Sequence, residues 1–241
     1  MTAPLAIFDI DGTLCDTLEV DDECFCSVAS ELLQIPLASW EESPQVTDAG
    51  IVDWLWRRYR SRAPTQPEIE DFVARYEAAL ARQLDQAPSR FAATRGAAPL
   101  LDCLRREGWH VGIATGGWSR TALLKLRAAD LPVELLFASS DDSPDRVNIF
   151  DLAKRRADAI YHGIHERVVL IGDGLWDVRV AANLGWALLG VGCGERGARL
   201  RQGGATAVVD DFLDGDEVLR LLRGCAVPSI PLCAAAASAR A

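Results

Sequence analysis

The sequence predicts an α/β protein in which a doubly wound parallel sheet forms the core and an all-helical unit is inserted after the first strand. From residue 96 onward, short apolar runs alternate with segments of helical periodicity, and this alternation is typical of consecutive βαβ units. The run VVLI at 168–171 is continuously apolar, as expected for a strand buried on both faces of a parallel sheet. Residues 17–92, by contrast, show helical patterns and no convincing strand pattern.

The first strand is predicted over Leu5–Phe8, a fully apolar run. In the segment that comes next, helices are predicted over 22–33, 49–60 and 67–84. Connections in compact α/β units usually run about 2–6 residues outside the helix, so a segment of this length is interpreted as an inserted domain. Its two chain crossings near strand ends place it over the site as a potential lid.

The second part of the chain supplies the remaining elements. Strands are predicted over 109–114, 135–138, 168–171, 187–191 and 207–209, and helices over 96–107, 119–129, 149–161, 175–183 and 212–223. The predicted domains are an α/β core of residues 1–16 and 93–226, a helical cap of residues 17–92, and a flexible C-terminal tail of residues 227–241.

Composition and charge narrow the range of partners. The chain of 241 residues has a formal net charge of −10, which argues against a nucleic acid partner because such proteins carry clustered cations. No apolar stretch is long enough for a transmembrane helix and no signal-peptide pattern precedes Asp9, so no membrane partner is expected. Seven cysteines are scattered without a CxxC pair, which favours reduced thiols in the cytoplasm. The sequence does not specify an oligomeric state.

Two carboxylates one residue apart come directly after the first predicted strand. Asp9 and Asp11 lie in the segment DIDGTL, at the carboxyl end of a strand, where open α/β sheets bind their ligands. Gly12 permits a turn there, so both carboxylates can converge on one cation. Mg²⁺ takes oxygen ligands of this kind, commonly one or two carboxylates and a substrate phosphate. The segment therefore predicts a magnesium site.

Polar clusters occur after three further predicted strands. They are Thr115-Gly116-Gly117, the segment 139–146, and Gly172-Asp173-Gly174-Leu175-Trp176-Asp177. Together with DIDGTL, their order and spacing resemble the four motifs of the haloacid dehalogenase superfamily of phosphohydrolases. The helical insertion between the first and second motifs resembles the subgroup with an α-helical C1-type cap, which includes phosphoglycolate-phosphatase-like enzymes. The resemblance implies a Rossmann-like core.

The resemblance also implies a role for each motif residue. Asp9 would be the nucleophile that forms an aspartyl-phosphate, and Asp11 would protonate the leaving group and then activate water. Thr115, with the backbone amides of Gly116 and Gly117, would bind the transferring phosphoryl group.

The third motif of the family carries a cationic side chain, and Arg146 and Lys154 are the two candidates for it. The chain has only two lysines, Lys125 and Lys154, and neither stands in the Lys-Pro setting usual in the family. Arg146 lies where the family has its Lys or Arg, and an arginine can bind phosphate bidentately. Lys154, two turns into the same predicted helix, is the alternative.

The resemblance implies a Mg²⁺ site formed by Asp9, Asp11, Asp173 and Asp177, with Asp11 contributing its backbone carbonyl. Asp173 is the better direct ligand, whereas Asp177 is expected to hold metal-bound water or to orient Arg146. An acidic residue in the first turn of a helix is also favourable for the helix dipole alone.

These observations predict a Mg²⁺-dependent phosphatase that hydrolyses a small phosphorylated metabolite. Asp11 argues against carbon–halogen cleavage, which proceeds in the family without this residue. A phosphonate-cleaving relative needs a cap lysine, and residues 15–92 contain none. A phosphomutase of the same superfamily and a non-catalytic phosphate-binding relative are the alternatives.

In the cap, Thr47-Asp48 is either a helix N-cap or a substrate contact.

Overall fold

The computed structural model describes residues 3–229. Its strands, in chain order, are β1 (Leu5–Phe8), β2 (His110–Ala114), β3 (Leu136–Ala138), β4 (Val168–Gly172), β5 (Ala187–Val191) and β6 (Ala207–Val209). Its helices are α1 (Leu18–Leu33), α2 (Asp48–Arg60), α3 (Gln66–Gln86), α4 (Ala97–Arg106), α5 (Ser119–Ala128), α6 (Arg146–Ile160), α7 (Leu175–Leu184), α8 (Gly194–Gln202) and α9 (Gly215–Gly224), with a short 3₁₀ helix at Pro88–Phe91.

The six described strands form one parallel sheet in the order β3-β2-β1-β4-β5-β6. Strand β1 lies in the middle, where Phe8 is opposite Ile113 of β2 on one side and Ile171 of β4 on the other. Because all strands run in the same direction, the residues after their carboxyl ends meet at one edge of the sheet. The strand order reverses between β1 and β4, and open α/β sheets bind ligands at such a switch point.

The side chains of the central strand alternate between two apolar layers. Ala6 and Phe8 face the layer formed with α4, α5 and α9, whereas Leu5 and Ile7 face the layer formed with α6, α7 and α8. Both faces of the sheet are therefore covered by helices. This is why the strand sequences are continuously apolar rather than alternating between apolar and polar residues.

Helices α1, α2 and α3, together called the cap, have an apolar core of their own. Phe25, Phe72 and Tyr76 pack with ring centroids between 5.0 and 6.2 Å apart. Trp118, which precedes α5, joins this cluster at 5.5 Å from Phe72. The cap therefore packs on α5 of the sheet domain, called the core, through a shared apolar cluster.

The predicted doubly wound sheet is confirmed, and each predicted strand and helix overlaps an observed one. Helix α6 begins at Arg146 rather than Ile149 because Asp145 caps it, accepting from the backbone N–H of Asn148 at 3.0 Å. Helix α8 is not indicated by the sequence, since GERGARLRQ contains two interspersed glycines and only Leu200 as a large buried apolar residue. The domain limits at 16/17 and 92/93 stay predictions.

The predicted C-terminal tail, residues 227–241, falls mostly outside the described residues. Within residues 3–229, no helix is long and apolar enough to cross a membrane. The cysteines of this part of the chain are free thiols, and Cys193 is the exposed one among them.

The buried cap core gives a stability prediction. Phe72→Ala is expected to lower the free energy of unfolding by about 3–5 kcal/mol, because truncating a buried phenylalanine removes apolar contacts and leaves a cavity. Leu213→Ala, at a side chain that is 62% exposed, is the control and should change it by no more than about 0.5 kcal/mol. Urea titration followed by circular dichroism measures both, and similar losses for the two variants would contradict the packing of Phe72 in the cap core.

Candidate active site

Asp9 and Asp173 lie at the carboxyl ends of the adjacent strands β1 and β4, and both are buried. The backbone N–H of Asp9 donates to the carbonyl of Ile171 at 2.9 Å, which continues the pairing of the two strands up to the site. Gly12 then turns the chain with a φ of 74°. A Cβ at this position would lie 2.3 Å from Asp173 Oδ2. The close approach of the two loops therefore requires glycine.

Arg146, the first residue of α6, reaches two of the site's carboxylates. Its Nη2 donates to Asp9 Oδ2 at 2.7 Å and to Asp177 Oδ1 at 2.8 Å. The guanidinium also lies over the rings of Phe150 and Trp176, at 5.2 and 5.9 Å from their centroids. Burial opposes the charge, but the two aspartates raise the pKa of Arg146 above its ordinary value. The site thus contains a permanent buried cation next to Asp9.

Three aspartates form a carboxylate cluster that fits a hard cation. One oxygen each from Asp9, Asp173 and Asp177 lies within 4.8 Å of the others. Asp173 Oδ1 is buried and accepts no hydrogen bond from the described residues. Burial and the neighbouring aspartates raise the pKa of Asp173 well above its usual range, and burial raises the pKa of Asp9 to about 7 against the lowering effect of Arg146. A divalent cation would satisfy these oxygens, so the donor set fits Mg²⁺.

Asp11 lies outside this cluster, and its carboxylate is held by Lys125 and Thr17. Oδ2 of Asp11 accepts from Lys125 Nζ at 2.6 Å, and Oδ1 accepts from the Thr17 hydroxyl at 2.5 Å. The same ammonium donates to Asp21 Oδ1 of the cap at 2.6 Å. Lys125 therefore positions Asp11 and joins the core to the cap. The predicted contribution of Asp11 to the metal site falls to its backbone carbonyl and stays a prediction.

The charges of Lys125, Asp11 and Asp21, together called the Lys125 group, depend on one another. Lys125 is fully buried; burial opposes its charge, but Asp11 and Asp21 raise the pKa of Lys125 above its ordinary value. Burial, together with Asp11, raises the pKa of Asp21 to about 6, while Lys125 opposes this rise. A single ammonium thus stabilises two partly buried carboxylates.

Thr115, Gly116 and Gly117 form the turn between β2 and α5 and border the same cavity as Asp9. The Thr115 hydroxyl accepts from the backbone N–H of Gly117 at 3.1 Å. A Cβ on Gly116 would lie 2.6 Å from Arg146 Nη1 and 2.8 Å from the carbonyl oxygen of Val46. The missing side chain lets both the guanidinium and the cap approach this turn.

The N-terminus of α2 docks on the core beside the same turn. The backbone N–H of Asp48 donates to the carbonyl of Gly116 at 2.8 Å, and the Thr47 hydroxyl donates to the carbonyl of Pro144 at 2.6 Å. Thr47 Oγ1 also accepts from the backbone N–H of Gly50 at 3.2 Å. Thr47 is therefore the helix cap. Asp48 borders the cavity, and a contact of this dipeptide with the substrate stays a prediction.

The structure separates the two candidate cations of the third motif. Arg146 contacts Asp9, whereas Lys154 donates to Asp158 at 2.5 Å and does not border the cavity. Asp177 both accepts from Arg146 and, through Oδ2, accepts from the backbone N–H of Gly174 at 3.0 Å. Asp177 is thus placed to orient Arg146 while it belongs to the carboxylate cluster.

Two basic residues near the site are not indicated by the motifs. Lys125 lies on the buried face of α5 with Ala122 and Leu126, and a lysine within the apolar stripe of a helix is the signal that could have identified it. Arg196 Nη1 lies 3.3 Å from Asp173 Oδ2. It belongs to α8, for which the sequence contains no clear helical pattern.

Comparison with known proteins agrees with this geometry. A family profile described as haloacid dehalogenase-like hydrolase matches residues 4–185. A comparison with curated proteins gives no match. Among solved structures, a hydrolase from Pseudomonas syringae is 26% identical and superposes with a TM-score of 0.70 over 91% of this chain and 98% of that chain.

Two further solved structures are similar at lower identity. A protein from Bacteroides vulgatus assigned as a beta-phosphoglucomutase is 18% identical, with a TM-score of 0.66 over 92% of this chain and 90% of that chain. A predicted phosphoglycolate phosphatase from Haemophilus somnus 129pt is 18% identical, with a TM-score of 0.62 over 91% of this chain and 99% of that chain. At this identity the likeness concerns the fold.

The family match spans the cap, the first four strands and the residues of the aspartate cluster. The chain belongs to the haloacid dehalogenase-like hydrolases, and the predicted family and enzyme class are confirmed.

The Lys125 group gives a second stability prediction. Lys125→Met is expected to lower the free energy of unfolding by about 3 kcal/mol, because it leaves two partly buried carboxylates without their cation. Adding Asp21→Asn should recover part of this loss, since it removes one of the unpaired charges. Lys154→Met is the matched control, and loss of its pair with Asp158 within one helix should cost about 1 kcal/mol or less. Equal losses in the two lysine variants, measured by urea titration, would contradict the role given to Lys125.

Proposed function

We propose that this protein hydrolyses the phosphate monoester of a small metabolite, with Mg²⁺ as cofactor and an aspartyl-phosphate at Asp9 as intermediate. The observation that carries the proposal is the contact of Asp9 with Arg146 next to the cluster of Asp173 and Asp177. A carboxylate nucleophile, a fixed cation and a metal site at one strand end are the groups that phosphoryl transfer requires.

The metal is proposed to bind Asp9, Asp173 and Asp177, together with the backbone carbonyl of Asp11. When bound, Mg²⁺ would neutralise charge on the phosphoryl oxygens and on the attacking carboxylate. Arg146 would share this role, and Thr115 with the amides of its turn would bind the phosphoryl oxygens.

In the first step, a carboxylate oxygen of Asp9 attacks phosphorus. The bond between this oxygen and phosphorus forms, and the bond between phosphorus and the ester oxygen breaks. Asp11 gives its proton to the leaving alkoxide. Thr17 and Lys125 hold the Asp11 carboxylate, so its position is set before the substrate arrives.

In the second step, water replaces Asp9 on phosphorus. Asp11, now ionised, accepts a proton from the attacking water, and the bond between Asp9 and phosphorus breaks to release inorganic phosphate. The docked cap limits the access of bulk water to the intermediate.

A cytoplasmic location, expected from the scattered cysteines, stays a prediction.

A phosphomutase would use the same residues but pass the phosphoryl group to a second hydroxyl of a sugar phosphate. We favour water as the acceptor because a mutase must hold a bisphosphate. Among the described residues that border the cavity, those from the cap include no Lys, Arg or His that would bind the second phosphate.

Removal of the nucleophile is the first test of this proposal. Asp9→Asn should abolish Mg²⁺-dependent phosphate release from p-nitrophenyl phosphate, because the amide has nearly the same shape but cannot attack phosphorus. Asp102→Asn, at a side chain that is 73% exposed, controls for loss of an aspartate and should keep full activity. Normal turnover by folded Asp9→Asn protein would refute the assignment.

Asp11→Asn separates proton transfer from nucleophilic attack. The phosphoryl-transfer step with an alkyl phosphate should slow by about 10²–10⁴-fold, the usual contribution of a general acid. The same step with an activated aryl phosphate should slow much less, because its leaving group needs no proton. Rapid-quench measurement of the first turnover compares the two esters. Equal losses would make Asp11 a structural residue.

The metal requirement is tested by exchange. Activity should be lost in excess chelator, return with Mg²⁺ or Mn²⁺, and be inhibited by Ca²⁺. The larger Ca²⁺ takes more ligands at longer distances and would tend to engage both oxygens of Asp9. Full turnover in chelator, or with Ca²⁺ as the added metal, would show that the aspartate cluster has another role.

A further inference from the structure

The cap and the core border a shared cavity of about 90 Å³. Its bordering residues from the core are Asp9, Asp11, Thr115, Gly116, Gly117, Arg146 and Trp176. The part of the chain between β1 and α3 contributes carboxylates and aromatic rings, namely Asp21, Asp22, Asp48, Phe25 and Trp40. With the phosphate bound at Arg146, the alcohol portion of an ester would lie among these cap-side groups.

The charge around this cavity is strongly negative. Five aspartates border it, and Arg146 is the one basic side chain among the described residues that do so. Arg146 is already shared by Asp9 and Asp177, and the nearby Lys125 is shared by Asp11 and Asp21. Asp22 and Asp48 form no ion pair with any residue in the described range 3–229.

Asp48 is the more buried of these two carboxylates, at 8% exposure. Its Oδ2 accepts from the backbone N–H of Trp118 at 3.1 Å, and its own backbone N–H donates to the carbonyl of Gly116. It is therefore fixed on the cavity wall close to the phosphate-binding turn. Burial and the nearby Asp21 raise the pKa of Asp48 well above its usual range, and the charge of Lys125 opposes this rise only in part.

Asp22 lies beside an aromatic surface. The indole N–H of Trp40 donates to Asp22 Oδ1 at 2.8 Å. The Trp40 ring packs against Trp176 of the core, with centroids 6.2 Å apart and planes inclined at 49°, and Phe25 borders the same space. Indole and phenyl faces next to a carboxylate attract an organic cation.

We propose that the substrate is a phosphate monoester of a small amino alcohol, whose cationic nitrogen binds on the cap side of the cavity, which Asp48, Asp22 and Trp40 border; this rests on the proposed hydrolase function. The phosphate end lies at Arg146 and the metal, and the nitrogen lies at the cap. A substrate with a second anionic group, such as a carboxylate or another phosphate, would meet several carboxylates there and bind poorly.

Three size-matched esters test the charge preference directly. They are 2-aminoethyl phosphate, 2-hydroxyethyl phosphate and phosphoglycolate, which place an ammonium, a hydroxyl or a carboxylate at the same end of the molecule. With Mg²⁺ present, kcat/KM should be about tenfold or more higher for the ammonium ester than for the hydroxyl ester, as expected for one charge-assisted contact. Phosphoglycolate should be the poorest substrate. Equal rates, or a preference for either of the other two esters, would overturn the proposal while leaving the hydrolase assignment intact.

The variant Asp48→Asn tests whether Asp48 causes the preference for the ammonium ester. The ratio of kcat/KM between the ammonium and hydroxyl esters should fall about tenfold, because the amide keeps the shape but loses the charge. The ratio is insensitive to a general loss of folded enzyme. Asp53→Asn, at an exposed position of the same helix that pairs with Arg57, is the matched control and should keep the ratio. An unchanged ratio in Asp48→Asn would overturn the assignment of the binding group.

Binding separates failure of this proposal from failure of the proposed function. If neither p-nitrophenyl phosphate nor any of the three esters is turned over, the hydrolase assignment fails, but calorimetry with Asp9→Asn protein and Mg²⁺ still measures the charge preference. Tightest binding of 2-aminoethyl phosphate would support the cation site, and equal or tighter binding of phosphoglycolate would overturn it.

Discussion

The guanidinium of Arg146 lies buried between the carboxylates of Asp9 and Asp177. Without it, these carboxylates and that of Asp173 would share a small water-poor space and repel one another. The contact also joins three elements, because Asp9 comes directly after β1, Arg146 begins α6 and Asp177 lies in the first turn of α7. One side chain therefore sets the electrostatic environment of the strand end and fixes the distance between the elements that form the site.

The cap is held to this centre by polar contacts as well as by apolar packing. Lys125 connects Asp11 of the core with Asp21 of α1, and the start of α2 donates to the carbonyls of Gly116 and Pro144. These contacts lie directly next to the cavity, so the arrangement of the cap and the arrangement of Asp11 are coupled. Docking of the cap therefore holds Asp11, the proposed proton carrier, in place through Lys125. A docked cap also restricts the access of water to the phosphoryl group.

The parts of this structure that the sequence predicts are those governed by local pattern. Apolar runs locate the strands, and paired aspartates after β1 and β4 locate the site, because parallel strands present their carboxyl ends at one edge. Helix α8 could not be predicted from its glycine-rich polar sequence. The contact of Arg196 with Asp173 could therefore not be predicted either. Lys125 binds a residue 114 positions away along the chain. Contacts of this kind depend on the tertiary arrangement of cap and core, which no local pattern encodes.

A crystal structure with Mg²⁺ and beryllium trifluoride, a mimic of the phosphoryl group, tests the central claim most directly. The account predicts a beryllium atom bonded to a carboxylate oxygen of Asp9, with Arg146 and Thr115 contacting the fluorides and Mg²⁺ bound to Asp9 and Asp173. Beryllium bonded to another residue, a metal bound away from this cluster, or Arg146 turned away from Asp9 would contradict it.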